Sequence, residues 1–398
     1  GRPGPVVISL PEDILSLLSD ANPSSKINII EPSVSEEVVL NIKEKLLKSK
    51  KPVFIVGGTC WNTEGITQLN SFIENNNFPV ISSFRRQDIF NNHSSSYAGV
   101  CSFINTPKLN DALNEADLIF AFNTLLGDIT TSNYNLWLNQ IETRVVIQSH
   151  SSLLEIGKVY QVDLAINSGP NYLASKLNNL GKIGDWSSHT SLLRSDYIKG
   201  LEIKDQPGQV DMGKIIYYLQ DKLPEDAILT NGAGNFSTWS NLLFKFGKKA
   251  RLLAPTSGAM GFGLPAAIAA KITNPNRTVI CFAGDGDFQM NMAELGTALH
   301  YKAFPIILLL NNSSYGTIRM HQEKSYPDRV YGTDIENPDY SMIAKAYGIP
   351  SYQVNKTEEF QQFFDKVIKS EKGALIEIIL DIQSISPHKT LNEIKMKT

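Results

Sequence analysis

Two short polar sequences, Gly284-Asp285-Gly286-Asp287 and Asn311-Asn312, each follow an apolar run, Val279-Ile280-Cys281-Phe282 and Ile306 to Leu310. A carboxylate and a neutral amide oxygen are hard ligands of the kind that hold Mg2+ together with water and a bound phosphate. Residues 287 to 310 leave room for one crossover helix and the next parallel strand. Both motifs then fall at the carboxyl ends of strands in one sheet, where open α/β folds bind ligands. Taken singly, Gly-Asp-Gly reads as a tight turn and Asn-Asn as a helix cap. Together, at this spacing, they point to a metal site with Asp285 and Asn312 as ligands.

Two further loops have the right composition to assist. Asn231-Gly232-Ala233-Gly234-Asn235 follows a short apolar run and precedes a helical pattern from about Ser237. Small residues before a helix start expose backbone N–H groups to an anion, although a plain strand-to-helix connection fits equally. Thr256 to Pro265 carries Gly258, Gly261 and Gly263 before an Ala-rich helix, so the backbone can approach a ligand closely. Met260, by itself, reads as core filler.

The elements that must position these loops are legible in outline. Continuous apolar runs at Val53–Val56, Leu118–Phe122 and Val145–Ile147, with helical periodicity at 35–49, 63–76 and 107–115, predict a parallel sheet covered on both faces. A second βα series starts at Val210. The expected class is α/β, with two doubly wound parallel-sheet domains at 28–180 and 206–398, which a family resemblance carried by the strand-end motifs makes the central domain and the diphosphate/Mg-binding domain. Residues 181–205 form a linker that includes one helix. Residues 1–27 are expected to be the tail of a missing domain plus a connector, with Val6 to Leu10 as the last strand of that domain.

Composition narrows the function. With 37 Lys+Arg against 40 Asp+Glu and no basic run, nothing favours nucleic acid. The apolar runs are far shorter than the roughly 18 residues a spanning helix needs, so no membrane partner is expected. Cys60, Cys101 and Cys281 show no CxxC spacing, which suits a reducing, cytoplasmic setting.

Gly284-Asp285-Gly286 with Asn311-Asn312 resembles the diphosphate and metal signature of thiamin diphosphate-dependent enzymes. The surrounding chain is similar to their acetolactate synthase, benzoylformate decarboxylase and pyruvate oxidase-like branch. The resemblance implies thiamin diphosphate and Mg2+ as cofactors. Asp285 and Asn312 would bind the metal through side chains and Ser314 through its backbone oxygen. Gly284, Gly286 and Asp287, with the Gly234-Asn235-Phe236 turn and Tyr315-Gly316-Thr317, would surround the diphosphate. Gly258 would accept a hydrogen bond from the aminopyrimidine, and Met260 would prop the cofactor in its bent shape. The reaction implied is decarboxylation of a small 2-oxo acid, carboligation, or both, in a homodimer or homotetramer.

The same resemblance has departures. The family's activating Glu belongs to a pyrimidine-binding domain that has no counterpart here, so the chain by itself is expected to be inactive unless Glu294 or Glu323 takes that part. Ser313 to Glu323 resembles the benzoylformate decarboxylase version more than the acetolactate synthase one. In the resembling family the central domain binds FAD, an ADP group or nothing, and here Gly57-Gly58 lacks a full GxGxxG, so FAD or ADP is not expected. Arg85 and Arg86 read either as phosphate ligands or as a solvated pair, and His321 either as a substrate contact or as a surface residue. Two rival readings are an oxalyl-CoA-type lyase and a non-catalytic subunit that retains the cofactor site.

Overall fold

The computed structural model describes residues 2–102, 105–137, 144–370 and 372–395. Among them, two six-stranded sheets carry all the named strands, and every pairing is parallel. The first sheet comprises β1 (Pro52–Val56), β2 (Val80–Ser82), β3 (Tyr97–Val100), β4 (Leu118–Phe122), β5 (Val145–His150) and β6 (Leu164–Asn167), in the order β3-β2-β1-β4-β5-β6. The second comprises β7 (Ile228–Asn231), β8 (Arg251–Leu253), β9 (Val279–Gly284), β10 (Ile306–Asn311), β11 (Ser351–Val354) and β12 (Ala374–Ile379), in the order β11-β12-β10-β9-β7-β8.

Non-alternating apolar sequence becomes strand buried on both sides. Every residue of β1, β4, β9 and β10 is buried, and each sheet has an apolar core on either face. Full burial of a Leu or Ile is worth roughly 1.5–3 kcal/mol, so these strands hold their register firmly. Helix starts are defined by side chains: Ser35, Asn62, Thr106, Asp211 and Asp339 each accept a backbone N–H of the first turn, worth about 1 kcal/mol apiece.

The chain reverses strand order between β1 and β4 in the first sheet and between β7 and β9 in the second. A crevice opens at such a switch point, outside the carboxyl ends of the strands. The two domains meet along residues 85–92, which follow β2. Gln87 Nε2 donates to the Asn241 carbonyl (2.8 Å), Asn92 N–H to the Phe246 carbonyl (2.8 Å), and Phe246 N–H to Asn92 Oδ1 (2.9 Å).

The expected strand at Val6 to Leu10 is not one. These residues are exposed, Val7 at 93%, and take part in no sheet ladder among the described residues. An apolar run without a neighbouring strand edge to bond has no reason to adopt sheet structure. The helix expected within 181–205 is Ser187–Lys199, preceded by Trp186, which stacks on Phe78.

Candidate cofactor site

The register of β10 against β9 pairs Leu310 with Gly284. Asp285 therefore lies beside Asn311 at the sheet's carboxyl edge, with Asn312 one residue further out. Asp285 opens the short helix Asp285–Gln289 and is buried. Its Oδ1 accepts Gly286 N–H (3.0 Å) and its Oδ2 accepts Asn337 Nδ2 (2.9 Å). Burial raises its pKa, while the hydrogen bonds from Asn337 and Gly286 pull the other way. A buried carboxylate held in this way is poised to gain from a cation.

Asn337 is the orienting group that sequence reasoning missed. Its Nδ2 also donates to Asn311 Oδ1 (2.9 Å), and its Oδ1 accepts from Gln289 Nε2 (2.9 Å) and the Tyr340 hydroxyl (2.9 Å). Asn311 Nδ2 in turn donates to Glu377 Oε1 (2.7 Å). Every polar atom of the Asn337 amide is engaged, so it fixes which way Asp285 faces.

The neighbouring predicted residues converge on this edge. Asn312 Oδ1 accepts Ser314 N–H (3.2 Å), and the Ser314 carbonyl accepts Gly316 N–H (2.8 Å). The Tyr315 ring packs against Gly286, and the Phe236 ring against Gly284. Thr317 Oγ1 joins the Gly234-Asn235-Phe236 turn to the helix Gly316–Ser325: it accepts Asn235 N–H (2.8 Å) and donates to Asn235 Oδ1 (2.7 Å). Asn231 Oδ1, at the end of β7, is buried with no hydrogen-bond partner.

Asp287 is buried. Its Oδ1 accepts Gly261 N–H (2.8 Å) and Ala233 N–H (3.2 Å), so it ties together the two glycine-bearing loops. Burial pushes its pKa up to about 6, against those two N–H groups and the charge of Arg85. Between Pro255 and Gly261 the loop is open: Thr256 to Ala259 are exposed and Met260 is half-buried. Gly258 has φ +74° and open space where a side chain would stand.

Other candidates have partners or surroundings of their own. His321 is exposed on the helix Gly316–Ser325. Glu323 is buried and accepts Asp328 N–H (3.0 Å), and Glu294 accepts the Thr297 hydroxyl (2.6 Å). Arg85 is neither solvated nor turned to the first sheet's crevice, because its guanidinium enters the second domain.

Two family models match in tandem, the thiamine pyrophosphate enzyme central domain over residues 39–177 and the thiamine pyrophosphate enzyme C-terminal TPP binding domain over 232–378. The chain belongs to the thiamine pyrophosphate enzymes. Similar members of that family include the acetolactate synthase isozyme 2 large subunit of Escherichia coli K12, 28% identical over 96% of this chain and 69% of that protein. The acetolactate synthase large subunits of Buchnera aphidicola (from Schizaphis graminum) and Lactococcus lactis are each 29% identical over 96% of this chain, covering 69% and 67% of their own lengths. In this thiamine pyrophosphate enzyme the C-terminal match contains both strand-end motifs, and the central match contains the whole first sheet.

Proposed function

We propose that this chain is the cofactor-holding part of an enzyme that joins 2-oxo acids by carboligation, as the names of its acetolactate synthase relatives indicate, with thiamin diphosphate and Mg2+ as cofactors. The observation that carries the reading is the buried Asp285 carboxylate beside Asn311-Asn312 at the switch-point edge of the second sheet. The donor set suits Mg2+. Among the described residues no cluster of three or more acidic, His or Cys side chains could hold a metal by itself, and one carboxylate, an amide oxygen and a carbonyl leave positions for water and phosphate oxygens.

Asp285 and Asn312 would hold the metal, joined by the Ser314 carbonyl. The Gly234-Asn235-Phe236 turn, Gly284, Gly286 and Tyr315-Gly316-Thr317 would enclose the diphosphate, with Asp287 bracing the loops behind it. Gly258 would accept a hydrogen bond from the aminopyrimidine, and Met260 would support the cofactor from below. Thiamin diphosphate, when bound, supplies a carbon nucleophile and an electron sink for a 2-oxo acid. The work of the protein is to hold that group in place, which lowers the entropic part of the barrier. A site of this kind is shared between subunits in the resembling family, and a two-fold homodimer is the simplest assembly.

Calorimetry with thiamin diphosphate and Mg2+ tests the site. Asp285→Ala should weaken binding at least about tenfold, or ~1.4 kcal/mol, and unchanged affinity would sink the assignment. In a protein that joins this chain to a pyrimidine-binding domain, two pyruvates should give one acetolactate and one CO2. Free acetaldehyde as the main product would mean decarboxylation without ligation.

A further inference from the structure

Arg85 belongs to the first domain but lies inside the second. It follows β2, is only 4% exposed, and takes a left-handed backbone conformation with φ +58°. Such a conformation is disfavoured for a residue other than glycine and persists only where surrounding structure enforces it. Its Nη1 donates to the Pro255 carbonyl at 2.6 Å and its Nη2 to the Ser237 hydroxyl at 3.4 Å, while Nε has no hydrogen-bond partner.

Those two acceptors stand at the roots of two different loops. Ser237 is bonded through both its N–H and its hydroxyl to the Gly234 carbonyl, at the turn before the helix Phe236–Leu243. Pro255 begins the exposed stretch that carries Gly258 and Met260, and its carbonyl also accepts Gly258 N–H (3.0 Å). Asp287 pins the far side of the same two loops at Ala233 and Gly261. The guanidinium thus closes a frame whose other side is a carboxylate, and burial brings its own pKa down to about 10 even though the Asp287 charge raises it. Burying a guanidinium with one unpartnered nitrogen is costly, and an apolar side chain would serve a simple domain contact as well. The planar fork spans two acceptors on separate segments, which a point charge on a flexible stem does less well.

We propose that Arg85 is a positioning residue through which the first domain sets the spacing of the two cofactor loops of the second. The inference rests on the reading that thiamin diphosphate binds at those loops. The first domain is then part of the cofactor site without touching the cofactor.

The test is calorimetric titration of thiamin diphosphate with Mg2+ into wild type, Arg85→Met, Arg85→Lys, Lys248→Met and Asp285→Ala, alongside cofactor-free melting of each. Lys248 forms the other kind of domain contact, an ion pair with Glu74 at 3.9 Å, which touches neither loop. Arg85→Met should weaken cofactor binding by about tenfold or more at a temperature where the cofactor-free protein is folded, with Arg85→Lys in between and Lys248→Met unchanged. If Arg85→Met does not fold, Arg85→Lys decides: weakened affinity with an unchanged melting temperature supports the role, and wild-type affinity overturns it. Wild-type affinity in Arg85→Met while Asp285→Ala has lost binding overturns the inference alone, as does an equal loss in Lys248→Met. Wild-type affinity in Asp285→Ala overturns the cofactor reading beneath it.

Discussion

The two sheets share strand number, direction and buried centres, yet the crevices at their carboxyl ends differ. In the first, the switch point between β1 and β4 is filled by the chain itself. Asn123 Nδ2 donates to the Gly57 and Thr59 carbonyls (3.3 and 2.8 Å), Trp61 Nε1 donates to the Gly57 carbonyl (2.8 Å), and a β-carbon on Gly58 would overlap the Asn123 carbonyl oxygen. In the second, the strand ends carry a buried carboxylate, an orphaned amide oxygen on Asn231 and an exposed loop with open space at Gly258. Topology makes a crevice in both. The side chains after the strands decide whether it is closed or left available.

Alanine at two glycines of the same backbone sign should separate closed from open. Gly58 has φ +72° and no room. Left-handed backbone costs about 1–2 kcal/mol and overpacking about 1–3 kcal/mol more, so urea denaturation of Gly58→Ala should show a loss of about 3 kcal/mol. Asn337→Ala frees one oxygen of Asp285 and should weaken Mg2+-dependent cofactor binding about tenfold, the usual scale for a group behind a metal ligand. Gly258→Ala meets only the backbone penalty, about 1 kcal/mol in the same denaturation experiment. Equal costs at Gly58 and Gly258 would break the comparison.

The smallest effect concerns acid. Burial lowers the pKa of His93, His150 and His189, before the second domain, and of His388 near the end. His150 Nδ1 lies 3.0 Å from Ser152 N and 3.3 Å from the Ser152 carbonyl, and burial favours the neutral ring although that carbonyl and the Glu155 charge favour the protonated one. With the folded pKa below the ordinary 6.5, the unfolded chain binds protons first as pH falls, so the stability contributed by the neutral ring is present above that value and lost below it. Asp287, with its pKa raised to about 6, works in the opposite direction over this range, so the histidine contribution is read as a difference: between about pH 7.5 and about pH 5.5 the melting temperature should fall in wild type relative to His150→Gln. An identical change in both would remove His150 from the account.

The long apolar strands were readable because burial on both faces writes itself as an unbroken run: β1, β4, β9 and β10 carry it. β2, β3, β6, β8 and β11 have three or four residues each, several polar, as in Ser351-Tyr352-Gln353-Val354. Their strand character comes from the neighbour they bond, which local sequence does not encode. The site divides in the same way. Asp285 and Asn312 are visible because each ends a readable strand. Arg85 meets Pro255 across 170 positions, and Asn337 meets Asp285 across 52, so only the folded chain brings them together. Two arginines after a short apolar run carry no sign that one of them crosses into another domain.

The strands that present Asp285 and Asn312 have a further consequence during synthesis. Val279–Gly284 and Ile306–Asn311 are six-residue segments with no charge and no proline, the composition that favours cross-β association when exposed. Each is flanked by parallel neighbours from distant sequence, β7 and β12 included, and parallel pairing forms slowly because long loops must close first. Until β12 emerges from the ribosome, one edge of β10 has no native partner. The segments that make the site rigid are the ones most exposed to intermolecular pairing while the domain is incomplete, and a nascent chain is safest when chaperones hold β9 and β10 until the last strand arrives.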